Sequence, residues 1–407
     1  MKPLALVLLA LLPGAALAQG GNNQAEIEHG LYLARVGDCA ACHTVEEDKP
    51  YAGDFELPTP FGSIYTSNIT PDRDTGLGEW SREDFYRAMT EGLRPDGEYL
   101  YPAFPYTHFN ILTRADSDAI FAYLQTLQPI RQVVREPDFP WPLSDRTTLV
   151  AWNFLNFDDD GAYRPDPDRS PDWNRGQYLV EGLAHCSGCH SPRDLSGAEK
   201  KGEERYTGGM AEGWSAPPLH ARYGDETGIG RWSETDWADF LKHGRNDHTA
   251  AFGPMAEVIE KSTRYLNEAD LRGMVAYLTD LPNVPEKLER EKPLATDDPR
   301  MTAGRTIYAT QCAACHGAEG EGVPGLFATL AGSGIVNAQD PTTLVRLIVE
   351  GTRAAVTDRH PTPHAMPSFD WKLSDADVAD VTTYLRNAMG NAVPAVSADD
   401  VAEIRED

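Results

Sequence analysis

The six cysteines of this 407-residue chain stand at 39, 42, 186, 189, 312 and 315. They fall in pairs three apart, each followed at once by histidine: Cys39-Ala40-Ala41-Cys42-His43, Cys186-Ser187-Gly188-Cys189-His190 and Cys312-Ala313-Ala314-Cys315-His316. Two thiols about one helical turn apart lie on one face and can bond the two vinyl groups of a single porphyrin, while the next imidazole reaches the iron. That spacing is the attachment signature of c-type haem. A redox dithiol has no need of a trailing histidine, and structural zinc draws four Cys or His ligands from two paired loops. The motifs consume every cysteine and leave none for the disulfides of an exported chain. Three covalent haems are therefore expected, with His43, His190 and His316 as proximal iron ligands.

Electron carriers usually hold the iron on both sides, and a methionine opposite the histidine raises the potential and closes the open position. Ala365-Met366-Pro367 lies 18 residues before Tyr384, and Gly253-Pro254-Met255 lies 22 before Tyr277. Met366 and Met255 are read as loop residues and as distal ligands, whereas Met274 and Met389, in or just after the closing helices, fit core filling. The corresponding first loop, Tyr101-Pro102-Ala103-Phe104-Pro105-Tyr106, has phenylalanine where sulfur belongs. His108, four residues on, is the expected metal ligand there; Met89, His29 and a five-coordinate iron are the competing readings. Two imidazoles would give the first haem a lower potential than the others. Arg193, just after the second motif, is a candidate to hold a propionate.

The elements that must position these residues repeat. Gly30-Leu31-Tyr32, Gly176-Gln177-Tyr178 and Gly304-Arg305-Thr306-Ile307-Tyr308 precede the three motifs, and amphipathic stretches ending in Tyr123-Leu124, Tyr277-Leu278 and Tyr384-Leu385 close the three segments. Acidic starts suit the helix N-termini of those closing stretches. A glycine in each opening helix should let an aromatic of the closing helix pack closely, the helix-on-helix core of small cytochromes c. Thr75-Gly76-Leu77-Gly78-Glu79-Trp80-Ser81 recurs as Thr227-Gly228-Ile229-Gly230-Arg231-Trp232-Ser233, so the first two segments are closer kin than the third. A period above a hundred residues means duplicated domains rather than a solenoid. The expected fold is all-α, three consecutive class I cytochrome c domains at 24–130, 173–284 and 300–392. Pro-rich linkers at 131–172 and 285–299 join them, and an acidic tail follows at 393–407.

Residues 1–18 read as an export signal: Lys2, an apolar run from Leu4 to Leu12, and Ala16-Leu17-Ala18 before a cleavage point at Gln19. The run is short of the ~20 residues a spanning helix needs, and Pro13-Gly14 interrupts it. A periplasmic location follows, with membrane contact peripheral or through a partner. The formal charge of −27 excludes nucleic acid as a partner and favours a basic partner surface or simple solubility. The C-terminal end, Ala402 to Asp407, is too acidic to hold anionic lipid.

Taken in order, several stretches resemble the triple-haem cytochrome c subunits of membrane-associated bacterial dehydrogenases, which serve quinoprotein alcohol dehydrogenases and flavin-dependent gluconate, sorbitol or fructose dehydrogenases. They are Tyr65-Thr66-Ser67-Asn68-Ile69-Thr70-Pro71-Asp72, Leu100 to Tyr106, Trp173-Asn174-Arg175-Gly176, Phe252-Gly253-Pro254-Met255-Ala256-Glu257 and His364-Ala365-Met366-Pro367. The resemblance implies electron transfer from a separate catalytic subunit to ubiquinone or a terminal oxidase at the outer face of the cytoplasmic membrane. The Phe104/His108 loop departs from that pattern and is similar to the cytochrome partners of nicotinate dehydrogenase type, which leaves the partner enzyme open. No glycine-rich nucleotide loop or nucleophile triad supplies substrate chemistry. Two other functions are weighed: an open catalytic or ligand-binding centre at the first haem, and a free periplasmic electron shuttle.

Overall fold

A computed structural model of the chain describes residues 16–158, 161–220, 229, 232–282 and 292–406. The expected leader and its cleavage point fall on residues that lie outside this description or whose side chains do. Among the described residues no helix is long and apolar enough to cross a membrane.

Three helices lead into the three motifs. They are α1 (Ala16–Val36), α7 (Pro171–Gln177) with a π-helical turn over Tyr178–Leu183, and α12 (Pro299–Ile307) with a π-helical turn over Tyr308–Cys312. Ser170 and Asp298 cap α7 and α12, and each is followed by a proline in the first turn, where the missing N–H has no intrahelical partner to lose. The motifs form the short helices α2 (Cys39–His43), α8 (Ser187–His190) and α13 (Ala313–His316). Closing helices α5 (Arg114–Leu124), α11 (Glu268–Thr279) and α15 (Asp375–Asn387) cross α1, α7 and α12 and are capped by Thr113, Asn267 and Ser374.

At each crossing a glycine meets backbone directly. A Cβ on Gly30 would lie 1.9 Å from the Ala119 oxygen, on Gly176 1.9 Å from the Gly273 oxygen, and on Gly304 2.1 Å from the Asp380 oxygen. The Cβ atoms of Tyr123, Tyr277 and Tyr384 close the same contacts at 3.0, 2.9 and 2.6 Å. The expected glycine–aromatic crossing is thus present three times.

Between the opening and closing helices lie α3 (Arg82–Glu91) and α4 (Tyr106–Phe109) in the first unit, and α9 (Glu234–His243) and α10 (Gly253–Lys261) in the second. The repeated Trp-Ser explains itself here: Ser81 and Ser233 each form a capping box with the aspartate three residues on, at the start of α3 and α9. Of the second copy of that repeat, residues 227, 228, 230 and 231 lie outside the described residues. The third unit places α14 (Thr342–Val349) before α15.

Some expectations need correction. The all-α class omits three small antiparallel ladders: β1 (Glu56–Thr59) with β2 (Gly62–Tyr65), β3 (Gly209–Ala211) with β4 (Trp214–Ala216), and β5 (Thr352–Arg353) with β6 (Ala365–Met366). The 131–172 linker is no free tether, because it carries α6 (Thr148–Asn156) and is pinned to the first unit. The Tyr106 hydroxyl donates to Asn153 at 2.5 Å, Arg146 donates to the Tyr99 carbonyl, and Trp152 reaches the Ser196 carbonyl of the second unit at 3.0 Å. The acidic tail is likewise a docked helix, α16 (Ala398–Glu406), with Val401 fully buried against the third core. Its signal is visible in retrospect: Ser397 and Asp400 cap each other, and Val401 and Ile404 fall on one face.

The cores are distributed unevenly. Leu33, Val36, Leu112, Ile120 and Leu124 of the first unit and Leu179, Leu183, Leu271 and Met274 of the second belong to one continuous apolar cluster. The third unit has its own, built on Tyr308, Val345, Ile348, Val378, Val381 and Leu385.

Candidate haem-attachment sites

Backbone breaks deliver each cysteine pair from its opening helix. In the first unit α1 stops at Val36 and Asp38 adopts φ 54; in the second the π-turn ends and His185 adopts φ 35. In the third the π-turn runs to Cys312 itself. π-turns of this kind are rare and concentrate at functional sites.

All six cysteines are free. Burial pushes the Cys39, Cys42 and Cys186 thiols up to about 12 and the Cys189 and Cys312 thiols up to about 11. A nucleophilic or zinc-binding cysteine needs the opposite shift, toward thiolate. Among the described residues no group of three or more His, Cys, Asp or Glu side chains gathers as an ordinary metal site would require.

The histidines show the decisive geometry. His43 donates from Nδ1 to the Ser67 carbonyl at 2.6 Å, His190 to the Pro217 carbonyl at 2.7 Å, and His316 to the Ala328 carbonyl at 3.0 Å. A carbonyl can only accept, so the proton sits on Nδ1 and the Nε2 lone pair is left for a metal. Burial also pushes His43 and His190 below the ordinary imidazole range, toward the neutral form a metal requires.

The three accepting carbonyls come from equivalent places. Ser67 follows β2, Pro217 follows β4, and Ala328 follows the isolated bridge between Val323 and Phe327. A second brace was not foreseen from the sequence. The carbonyls of His43, His190 and His316 each accept an N–H from a glycine at 2.9 Å, namely Gly53, Gly208 and Gly322. Their φ values of 76, 102 and 65° are ones that side-chain-bearing residues rarely adopt. The glycines stand 10, 18 and 6 residues beyond their histidines, so no fixed spacing announces them. With one free Nε2 beside each pair of unpaired thiols, the residues present fit covalent haem at all three motifs.

The distal candidates divide. Met366 lies in β6, paired with Thr352 and packed on the third core. Met255, expected in a loop, instead occupies the first turn of α10, because Pro254 opens that helix. It packs at the junction of the shared core with a small cluster of Ala251, Ala256, Ile259 and Ala355. Met389, read as filler, places its sulfur against Gly320.

His108, the expected metal ligand of the first unit, has other partners in the structure. It is buried at the junction of the first two units, with Nδ1 3.1 Å from the Glu181 carbonyl and Nε2 2.7 Å from the Glu199 carboxylate, so both ring nitrogens are engaged. The reason is that α4 docks on the π-turn of the second unit, where Gly182 lies against Ile111. Glu199 also accepts from the Ser187 hydroxyl inside the second motif. Burial alone would raise its carboxyl, yet the His108 bond and charge, Ser187 and Arg193 outweigh that and hold it at about 2. Phe104 packs edge-on against Phe109, with ring centroids 5.5 Å apart. His29 is exposed and paired with Asp116 at 2.8 Å, and Met89 is buried in the shared core. Arg193 donates to the Gly197 and Gly188 carbonyls, which shape the loop after the second motif.

The first two motifs also lie within electrostatic reach of each other. The Cys42 thiol is raised by burial first and then by Asp38, Glu212, Glu257 and Cys189, groups drawn from both units. The Ser262 hydroxyl donates to the Val36 carbonyl at 2.8 Å, just ahead of the first cysteine pair.

A family model for cytochrome c matches residues 27–128 and 301–389. The cytochrome c subunit of gluconate 2-dehydrogenase from Pantoea cypripedii is 39% identical over 427 residues, covering 100% of this chain and 96% of that protein. The cytochrome c subunit of the quinone alcohol dehydrogenase of Gluconobacter oxydans is 40% identical over 98% of this chain and 86% of that protein. One subunit of the nicotinate dehydrogenase of Pseudomonas putida is 40% identical over 92% of this chain and 31% of its own length.

Proposed function

Because the chain belongs to the family of cytochrome c subunits of dehydrogenases, whose work is electron transfer via haem, we propose that it carries three covalent haems in three cytochrome c domains. Cys39/Cys42, Cys186/Cys189 and Cys312/Cys315 hold the porphyrins, and His43, His190 and His316 ligate the iron. Haem iron bound in this way supplies one-electron redox chemistry. The chain accepts electrons from the catalytic subunit of an alcohol- or sugar-type dehydrogenase and passes them to ubiquinone or a terminal oxidase. It does so after export, in the periplasm, at the outer face of the cytoplasmic membrane.

The observation that carries the reading is the threefold repeat of an Nδ1–carbonyl bond beside a pair of unpaired thiols. What the chain's own residues do is fix the imidazole tautomer, keep the thiols from other chemistry, and supply Met255 and Met366 as distal ligands to the second and third irons. Mass analysis of the exported protein should find one haem at each of the three cysteine-containing peptides, and unmodified peptides would end the proposal. Isolation of the native complex should yield a larger dehydrogenase subunit with its own cofactor.

A second reading concerns the first unit alone. With His108 held by Glu199 and Glu181, His29 by Asp116, Met89 buried in the shared core and Phe104 in place of a methionine, a haem held by Cys39, Cys42 and His43 would keep an open iron position for a small ligand. Carbon monoxide should then bind one haem of the reduced protein; spectra unchanged by the gas would leave three closed carriers.

A further inference from the structure

Arg245, just beyond α9, is 7% exposed, and among the described residues its Nε and Nη2 have no hydrogen-bond partner. Only Nη1 is used, donating to the Gly325 carbonyl of the third unit at 3.2 Å. A buried guanidinium with two idle nitrogens is unfavourable unless an anion reaches it. Arg245 lines a cavity between the second and third units, together with Asn246, Thr249, Phe327, Ala328 and His364. Ala328 is the carbonyl partner of His316, and His364 stands two residues before Met366. The cavity thus touches both the proximal and the distal segment of the third motif. Asp247 lines it too, yet makes no ion pair with Arg245 among the described residues. Arg245 is also felt by His360, which is pushed down by burial first and then by Arg245 and Arg359.

We infer that Arg245 of the second unit is a carboxylate-receiving side chain, and that the carboxylate it takes is a propionate of the haem held by the third unit. The inference rests on the reading that Cys312, Cys315 and His316 hold a haem. Guanidinium and carboxylate match in charge and in fork geometry. The contact joins two units across their boundary, and it sets a positive charge beside one haem only.

The test is redox titration of the full-length holoprotein and its R245Q and R245K variants, with haem content per cysteine peptide measured first by mass. The C312A/C315A variant, which lacks the third haem, identifies that haem's wave. Removing the positive charge favours the oxidised iron, so R245Q should retain three haems and lower the third midpoint alone. The expected drop is about tenfold in the equilibrium constant, or about 59 mV for one electron. R245K should restore most of it. Unchanged midpoints, or an equal shift at all three haems, would overturn the inference. The wild-type protein titrated in acetate and in chloride at equal ionic strength separates the sources: an acetate-specific shift of the third midpoint would assign the site to a free carboxylate and overturn the propionate. A wild-type third peptide without haem mass would instead defeat the attachment reading, and it would be seen before any titration.

Discussion

The boundary between the first and second units is a large hydrophobic core, whereas the boundary between the second and third combines ion pairs and backbone contacts with only a small apolar cluster of Ala251, Ala256, Ile259 and Ala355. At the first boundary Leu33, Val36 and Leu112 share a cluster with Leu179, Leu183 and Leu271, and Gly37 lies against Leu183. At the second, Glu260 pairs with Arg353 at 3.0 Å and accepts the Val356 N–H, Arg264 pairs with Asp358, and Arg359 pairs with Asp239. A buried leucine contributes ~1.5–3 kcal/mol, and an exposed ion pair ~0.2–1 kcal/mol. The first two units should therefore unfold as one body and the third by itself. For an electron carrier, the fused pair fixes the separation of its first two motifs, and the charged seam leaves the third able to respond to its surroundings.

The most forceful way to break this comparison is to remove a haem. A C186A/C189A variant should lose the second haem and bring down the first unit with the second, because their core is common. C312A/C315A should leave the unfolding transition of the first two units in place. Haem mass and thermal melts followed at the haem absorbance would decide; independent loss of the second unit alone would refute the fused core.

A smaller blow at the helix crossings asks the same question without touching the cofactor. G176A would place a Cβ 1.9 Å from the Gly273 oxygen, and G304A one 2.1 Å from the Asp380 oxygen. Overpacking costs about 1–3 kcal/mol, and contact with backbone puts both at the upper end. Calorimetry should find G176A lowering the joint transition of the first two units and G304A lowering only that of the third.

The joint core has a polar centre whose pH dependence sharpens the contrast. Glu199 is held at about 2 against an ordinary value near 4.5, by His108 from the neighbouring unit. A carboxylate depressed in the folded state stabilises above its unfolded value, and that stability is lost as pH falls toward its folded one. Between about pH 4.5 and 2 the first two units should lose on the order of 2–3 kcal/mol that the third does not. E199Q should abolish that slope and leave the stability of the third unit unchanged. Equal acid sensitivity in both bodies would disprove the assignment.

The haem motifs, the opening glycines and the closing helices were legible because each depends on fixed local spacing: three residues between thiols, or one glycine at a helix crossing. The braces around them were not. Gly53, Gly208 and Gly322 do the same work at three different distances from their histidines, since loops of different length reach the same carbonyl. The partners of His108 were illegible for a related reason. Its place in the sequence suggested the distal side of the first haem, but its direction is set by Glu181 and Glu199, residues of another unit and more than seventy positions away. Chain neighbourhood is a better guide where a segment packs within its own domain, as the Met366 segment does on the third core.

The gentlest perturbation addresses the charged seam itself. At about 1 M salt the Debye length is ~3 Å, so the exposed pairs Arg353–Glu260, Arg264–Asp358 and Arg359–Asp239 should be largely screened. E260A removes one of them together with the acceptor of the Val356 N–H, at 2.6 Å. The expected loss is under about 1 kcal/mol for the ion pair and about as much again for the hydrogen bond. Hydrogen exchange should show it as faster opening around residues 353–358, growing with salt in the wild type and less so in E260A. Between the first two units the cluster is apolar and its His108–Glu199 contact is buried, where salt screens little, so its exchange should be insensitive to salt. If Leu179 and Leu183 exchange faster in salt to the same degree, the two boundaries do not differ in kind, and the division into a fused pair and a separate third unit fails.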